Sequence, residues 1–231
     1  VQPMLVYISP EAETEKHRAE VGTAYLDFQV GKSQILPDFR NNAAELAKID
    51  RTIRTVTSDK NITPKGIFLK GYASPEGSYA SNQRLADGRV KALRDYIRTQ
   101  NNFSFDFFTL ASEPEDWKGF EEKTKADMDV PARDGVLAII SSNDEPDRKE
   151  AKLRALQGGA AYRYVLNNIF PSLRRSEYRI DYTVREFTVE EGREIIKTRP
   201  QQLSLSEMFA IANSYETGSK EYNDVFEVAV R

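Results

Sequence analysis

The residues from Gly71 to Ile97 combine side chains that bind charged ligands with a spacing that brings them together. The segment has the sequence GYASPEGSYASNQRLADGRVKALRDYI. Asn82 and Arg89 are seven positions apart, about two turns of a helix, so their side chains project from nearly the same side. Arginine binds carboxylate and phosphate groups through paired hydrogen bonds, and the free N–H groups at a helix N-terminus attract the same anions. The segment therefore predicts a site for a carboxylate or a phosphate.

The elements that position these side chains follow from hydrophobic periodicity. Residues 67–69 form a short apolar run of strand length, and Gly71 and Gly77 bracket a turn that tolerates unusual backbone angles. An apolar stripe with helical spacing follows, formed by Ala86, Val90, Leu93 and Ile97. We therefore expect a strand, a glycine-rich turn and a long amphipathic helix, in this order.

Two ordered motifs resemble the peptidoglycan-associating domain of OmpA-like envelope proteins. The strand-turn-helix motif of that family is matched without a gap by Gly71, Tyr72, Gly77, Asn82, Leu85 and Arg89. The aromatic-rich strand and helix that precede it in the family resemble Tyr25, Leu26, Phe28, Ile35 and Pro37. The resemblance extends over nearly the whole chain to envelope proteins that join an OmpA-like region of this ASPEG type to a helical-repeat segment.

The resemblance implies a ligand and a set of binding residues. In the family, an acidic residue in the turn and an arginine on the helix bind the charged ends of diaminopimelate in the cell-wall peptide. Arg89 matches that arginine, but Ser74 stands where the family has aspartate, and a serine hydroxyl carries no negative charge. Glu76 is a candidate replacement. The residues expected to bind ligand are Arg89, Ser74, Glu76, Asn82 and Tyr72.

Structural roles are open alternatives for the same residues. Ser74 would be a helix N-cap, Pro75 the first helical residue, and Glu76 a favourable charge at the positive end of the helix dipole. Arg89 would form a surface salt bridge.

Alternation predicts three strands besides the one at residues 67–69, because apolar residues recur at every second position in residues 23–30, 103–107 and 178–184. The residues on their inner faces are Ala24, Leu26, Phe28 and Val30; Phe103, Phe105 and Phe107; and Tyr178, Ile180, Tyr182 and Val184. A helix that opens at Pro37 is expected to bury Leu46, Ile49, Ile53 and Val56. The fold class is α/β: an α+β two-layer sandwich with an OmpA-C-like β-α-β-α-β core.

Two helical regions extend this core. Residues 113–175 form a predicted helical insertion before the last strand, in which the Glu115-Asp116-Trp117 cluster is expected to cap the first helix. Trp117 would pack against the sheet edge or, alternatively, form a carbohydrate platform. Met208, Ala212, Tyr215 and Phe226 resemble the opening of a tetratricopeptide-type hairpin, which would need further repeats beyond Arg231. The predicted domains are a lead-in at 1–22, the OmpA-like domain at 23–188, and a linker with truncated repeat helices at 189–231.

Composition excludes several classes of site. The net charge of -3 disfavours nucleic-acid binding, and the arginines at 174, 175 and 179 are expected to form a solvated cluster. The chain has no cysteine, so disulfides, thiolate catalysis and cysteine zinc sites are excluded. No apolar run is long enough to cross a membrane, and the first residues lack the pattern of a signal peptide. We expect an exported protein whose signal sequence is absent from this chain.

Catalytic patterns are weak. His17 is the only histidine and lies in a charged stretch, which argues against a Ser-His-Asp triad. Gly31-Lys32-Ser33 lacks the upstream glycine of a phosphate-binding loop, and Gly158-Gly159 follows a helical pattern instead of a strand. Carboxylates are abundant, but nothing selects a glycosidase-like pair. We therefore expect no enzyme and no cofactor or metal.

Two functions of different class follow from the sequence. The first is a non-catalytic binding and anchoring module of the cell envelope that docks on the peptidoglycan stem peptide through an altered site. The second is a protein-protein scaffold in an outer-membrane or surface assembly that has lost peptidoglycan binding. Both place the protein in the periplasm or at the outer membrane, with stem peptide or envelope proteins as partners.

Overall fold

The computed structural model describes residues 10–13, 15–29 and 31–230. Its strands are β1 (Lys16–Ala24), β2 (Ile62–Tyr72), β3 (Phe108–Glu113) and β4 (Arg175–Val184). Its helices are α1 (Asn42–Thr57), α2 (Tyr79–Asn101), α3 (Trp117–Ala126), α4 (Arg133–Ser141), α5 (Pro146–Ala155), α6 (Ala160–Asn168), α7 (Phe170–Leu173), α8 (Val189–Thr198), α9 (Leu205–Asn213) and α10 (Lys220–Ala229). The chain is an α+β protein, as the sequence predicts.

The strands form one mixed four-stranded sheet in the order β1-β4-β2-β3. β2 and β3 are parallel, with Ile67 opposite Phe108 and Tyr72 opposite Glu113. Parallel pairing brings the carboxyl ends of both strands to the same edge, where the turn before α2 and the start of the insertion follow. The fourth predicted strand is confirmed, and its four inward residues are all buried.

The chain divides into two compact units. A central unit comprises Glu20–Thr55 and Gly66–Ile180, and a terminal unit comprises Val1–Ala19, Val56–Lys65 and Asp181–Arg231. β1, β2 and β4 each have residues in both units.

The predicted helical stripes of α1 and α2 are buried. The residues concerned are Leu46, Ile49, Ile53 and Val56 on α1, and Ala86, Val90, Leu93 and Ile97 on α2. An apolar stripe at helical spacing gains most of its stability by leaving water, which explains why this periodicity is a reliable guide here.

The insertion is helical, as predicted, and has its own apolar cluster in the central unit. Phe120 of α3, Val136 of α4, Leu153 of α5 and Val165 of α6 are fully buried in it, with Phe170 of α7. The rings of Phe120 and Phe170 meet edge to face with their centroids 5.0 Å apart. Trp117 packs against this cluster, with its ring centroid 6.0 Å from that of Phe120.

The first predicted strand is wrong. β1 ends at Ala24 and residues 25–29 have no regular structure, while Val30 lies outside the described residues. The amide of Tyr25 donates to the Glu45 carboxylate at 3.0 Å, and the amide of Asp27 donates to Asn42 Oδ1 at 2.8 Å. These N–H groups are therefore satisfied by side chains in the first turn of α1 and not by a strand ladder.

The start predicted for α1 is also wrong. The helix begins at Asn42 and not at Pro37. Arg40 has a φ of 52°, a left-handed conformation that cannot belong to a right-handed helix, so the helix forms only after it.

The third predicted strand is displaced. Phe105–Phe107 form a single turn of 3-10 helix, and β3 begins only at Phe108. Phe103 and Phe107 stack with ring centroids 4.7 Å apart, whereas residues four apart along a strand are separated by about 13 Å. The alternating phenylalanines therefore form a folded aromatic turn.

Helices α8, α9 and α10 of the terminal unit share an apolar cluster of their own. Ile195 of α8, Met208 and Ile211 of α9, and Val225 of α10 are among its buried residues. Ser204 and Glu207 form a reciprocal capping box at the start of α9. The two helices predicted on either side of Gly218 are confirmed as α9 and α10, while their assignment to the tetratricopeptide type stays a prediction.

Among the described helices, none has both the length and the apolar composition required to cross a membrane.

Candidate functional site

The turn before α2 does not begin the helix at Ser74. The N-cap is Ser78, whose side chain accepts a hydrogen bond from the Ser81 amide, and α2 starts at Tyr79. The proposed capping roles of Ser74 and Pro75 are therefore wrong. Gly77 has a φ of +84°, a left-handed conformation that favours glycine and makes the sharp entry to the helix possible.

Two carboxylates of the insertion occupy the amides of this turn. The Gly77 amide donates to Glu150 Oε1 at 2.7 Å, and the Tyr79 amide donates to Asp147 Oδ1 at 2.8 Å. Both carboxylates lie on α5. The N-terminus of α2 therefore does bind anionic groups, as expected, but these groups are carboxylates of the same chain.

Ser74 and Asn82 belong to a buried polar network and not to an open cleft. Asn82 Nδ2 donates to Glu115 Oε1 at 3.0 Å and approaches the Ser74 carbonyl at 3.5 Å. The indole N–H of Trp117 donates to the other oxygen of Glu115 at 2.9 Å. Burial raises the pKa of the Glu115 carboxyl, although the hydrogen bonds from Asn82 and Trp117 lower it, and no described lysine or arginine forms an ion pair with Glu115. This network ties the turn to the start of α3.

Arg89 lies in the wall of a cleft of about 460 Å³ in the central unit. Its guanidinium is 4.8 Å from the ring centroid of Phe28, and its Nε approaches the Lys32 carbonyl at 3.5 Å. Gly88 permits this approach of the preceding loop, since a Cβ there would lie 2.8 Å from Ser33 Oγ. No carboxylate of the described residues forms an ion pair with Arg89. Burial lowers the pKa of Arg89, and the positive charge of Arg174 lowers it further.

The cleft is strongly positive. Among the described residues, its lining contains one carboxylate, that of Asp27, and four arginines: Arg40, Arg89, Arg174 and Arg175. Asp27 forms an ion pair with Arg40 at 3.3 Å. The Arg175 guanidinium pairs with Asp116 and Glu177. The positive charge of Arg89 is therefore the one that the cleft leaves without a carboxylate.

Tyr72 and Glu76 hold two of these arginines in place. The Arg175 guanidinium lies 3.8 Å from the ring centroid of Tyr72, and the Tyr72 hydroxyl donates to Glu177 at 2.9 Å. Burial raises the pKa of the Tyr72 hydroxyl, and Glu177 raises it further. Glu76 Oε2 lies 3.6 Å from Arg174 and has no direct hydrogen bond within the described part of the chain. Glu76 therefore pairs with Arg174, and its negative charge also raises the pKa of Arg89, against the lowering by burial and by Arg174.

The five residues expected to bind ligand are thus separated into two groups. Arg89 and Tyr72 line the cleft, whereas Ser74, Glu76 and Asn82 do not. The prediction of a solvated arginine cluster is wrong for Arg174 and Arg175, because both are partly buried and line the cleft.

Asp27 is a cleft residue that the sequence did not predict. It is the one acidic residue between Tyr25 and Phe28, but the alternation of residues 23–30 places it opposite the inner face of the predicted strand.

No group of three or more potential metal-ligating side chains occurs in the described part of the chain. His17, the only histidine, is exposed and lies 3.1 Å from Glu15.

No protein-family model matches this chain, and no curated protein sequence matches it.

Proposed function

We propose that the protein is a non-catalytic binding module of the cell envelope with an OmpA-like fold, whose arginine cleft takes a carboxylate of a peptidoglycan stem peptide. The observation that carries the proposal is the state of Arg89. This arginine is half-buried in the wall of the cleft and has no carboxylate partner among the described residues. Its position also matches the ligand-binding arginine in the motif of the family that the sequence resembles.

A carboxylate ligand would relieve two unfavourable features of the free cleft. Arg89 has lost part of its hydration without gaining an anion, and it lies near a second cation, Arg174. A guanidinium presents paired donors that match the two oxygens of a carboxylate, so one ligand group satisfies several donors at once.

The carboxylate that would replace the family's turn aspartate is not Glu76, the residue expected from the sequence. Ser74 is only 2 % exposed, and neither Ser74 nor Glu76 lines the cleft. Asp27 is the carboxylate that lines the cleft, and we assign it the role of receiving the ligand's ammonium group. In the proposed binding mode, Arg89 binds the ligand carboxylate and Asp27, instead of a residue of the turn, binds the ligand's ammonium group.

Titration of the protein with a diaminopimelate-containing muropeptide, followed by calorimetry, tests the proposal. Arg89→Ala removes a charge-assisted interaction with the carboxylate worth about 1.5–3 kcal/mol, so binding is expected to weaken roughly 10- to 100-fold. Arg84→Ala is the matched control, because Arg84 lies on the same helix, is exposed and is absent from the cleft wall. Absence of saturable binding by the unchanged protein would refute the proposal.

A scaffold within an envelope assembly is the second candidate. It is favoured by the turn before α2, whose amides bind Glu150 and Asp147 and so are closed to an external ligand. Under this alternative the unchanged protein binds no muropeptide, and chemical cross-linking in intact envelopes recovers one defined protein partner.

A further inference from the structure

The connection between β1 and α1 carries one half of the proposed site. Its residues Asp27 and Phe28 line the cleft, and the Phe28 ring lies beside the Arg89 guanidinium. Asp27 lies outside the described strands and helices, so no regular element fixes its backbone. The ion pair of its carboxylate with Arg40 joins two exposed groups and fixes it only weakly. The position of Asp27 therefore depends on hydrogen bonds from other parts of the fold.

Asn42, the first residue of α1, supplies these hydrogen bonds. Its side chain is fully buried, and its Oδ1 accepts from the Asp27 amide at 2.8 Å. Its Nδ2 donates to the Asp27 carbonyl and, farther along the connection, to the Leu36 carbonyl, both at 2.9 Å. One side chain thus satisfies three backbone groups and joins two points of the connection to the start of the helix.

Arg89 is supported in a different way. It projects from α2, whose apolar stripe, including Val90 and Leu93, is buried. Removal of the Asn42 side chain should therefore leave the backbone of Arg89 in place. The two charged groups of the proposed site thus have separate supports, since core packing holds Arg89 and one buried asparagine holds Asp27.

We propose that Asn42 is a positioning residue of the cleft, whose three hydrogen bonds hold Asp27 where its carboxylate receives the ligand's ammonium group. The inference rests on the proposed function, since it takes Asp27 and Arg89 as the binding pair. Asn42 is absent from the cleft wall, so it acts only through Asp27. A carboxylate that is already in place when the ligand arrives avoids the entropic cost of ordering it on binding. Selectivity for a ligand with a free amino group therefore depends on Asn42.

Two probes separate positioning from stability: a diaminopimelate-containing muropeptide, and the same muropeptide with its free amino group acetylated. Acetylation removes the positive charge, so the ratio of the two affinities measures the contribution of Asp27. By calorimetry, we expect the unchanged protein to prefer the free-amino probe roughly two- to fivefold, as is typical of a partly exposed ion pair. Asn42→Ala should abolish this preference, while the acetylated probe keeps its Arg89-dependent affinity.

Asn61→Ala is the matched control. Asn61 is also a buried asparagine, and its Oδ1 accepts from Arg185 Nε at 2.9 Å, but it belongs to the terminal unit. This variant should lower the melting temperature and leave the preference unchanged. Asp27→Asn should abolish the preference, and adding Asn42→Ala to it should reduce the affinity for the free-amino probe no further, because both changes act through one carboxylate.

Hydrogen exchange in the unchanged protein gives a measurement for which no variant has to fold. The Asp27 amide, held by Asn42, should exchange far more slowly than the amide of an unstructured peptide. Exchange at the unstructured rate would overturn the inference, as would a preference for the free-amino probe that survives Asn42→Ala.

The outcomes distinguish this inference from the proposed function. Equal affinities of the unchanged protein for the two probes would overturn the roles of Asp27 and Asn42 while leaving Arg89-dependent binding intact. Absence of binding by both probes would overturn the proposed function together with this inference.

Discussion

Lys16 and Arg89 are two cations withdrawn from water, and they differ in what surrounds them. Lys16, in the terminal unit, is 2 % exposed and donates to both oxygens of Glu207 at 3.0 Å. Its ammonium also lies 4.2 Å from the ring centroid of Phe187. Arg89, in the central unit, has an aromatic ring beside it but no carboxylate. Structural cations are buried with their counter-ions, so the arrangement at Lys16 is that of a structural ion pair, whereas the arrangement at Arg89 is the one on which the proposed ligand site rests.

Replacing Lys16 should therefore be costly. Lys16→Met would leave the partly buried Glu207 carboxylate without its cation, and we expect a loss of about 3–5 kcal/mol in the free energy of unfolding. Lys197→Met is the control, because Lys197 is 61 % exposed and its ion pair with Glu194, which is 76 % exposed, is expected to contribute little to stability. Urea denaturation measures both. Equal losses for the two variants would contradict a structural role for the Lys16 pair.

At the scale of elements, the central observation is that α5 caps the turn before α2. Glu150 is buried and also accepts hydrogen bonds from Arg154 and the Tyr162 hydroxyl, so its carboxylate is held in place. Burial and the negative charge of Glu150 raise the pKa of Tyr162 to about 12, which keeps this hydroxyl a donor at neutral pH. The insertion therefore holds the turn before α2 in place through hydrogen bonds, in addition to forming its own apolar cluster.

Removing these caps should loosen the turn selectively. In Asp147→Ala combined with Glu150→Ala, the amides of Gly77 and Tyr79 lose acceptors worth about 1.5–3 kcal/mol each, so hydrogen exchange there should accelerate roughly 10- to 100-fold. The amide of Glu191 is the internal control, because it is capped by Thr188 at the start of α8. Unchanged exchange at Gly77 would show that the insertion does not hold the turn.

Elements with a long apolar stripe could be predicted from the sequence. The predictions were wrong where hydrogen bonds from polar side chains determine where an element begins or ends. Val90 and Leu93 belong to an apolar stripe that recurs at helical spacing along α2, so this helix could be predicted from spacing alone. β1 could not, because its sequence KHRAEVGTA buries a lysine whose partner, Glu207, is 191 positions away. The site shows the same limit: spacing identified Arg89, whereas Asp27 and Arg174 join it only through the fold of a loop and of the insertion.

At the scale of the whole molecule, the terminal unit combines segments from three parts of the chain. Residues 189–231, predicted as a separate linker and helical hairpin, share this unit with Val1–Ala19 and Val56–Lys65. Within it, Glu207 pairs with Lys16, while Arg199 and Gln202 both donate to Asp59. The buried groups on the earlier segments thus depend on partners from the last one.

Truncation after residue 188 should therefore destabilise the remainder. It would strip Lys16 and Asp59 of their partners, at a cost of at least about 3 kcal/mol, which corresponds to a fall in Tm of roughly 6–12 °C for a chain of this size. Calorimetric melting of the full and truncated chains measures the difference. Melting of the two forms at one temperature would favour residues 189–231 as an independent domain.

The turn before α2 is synthesised well before the two carboxylates that cap it. The hydrogen bonds from Tyr79 to Asp147 and from Gly77 to Glu150 span 68 and 73 positions. At a synthesis rate of about 5–20 residues per second, the turn leaves the ribosome roughly 4–15 s before its carboxylates exist. Until then its amides are open to any anion in the surroundings. We therefore expect the N-terminal amides of α2 to be accessible to anions in the nascent chain until α5 has been synthesised.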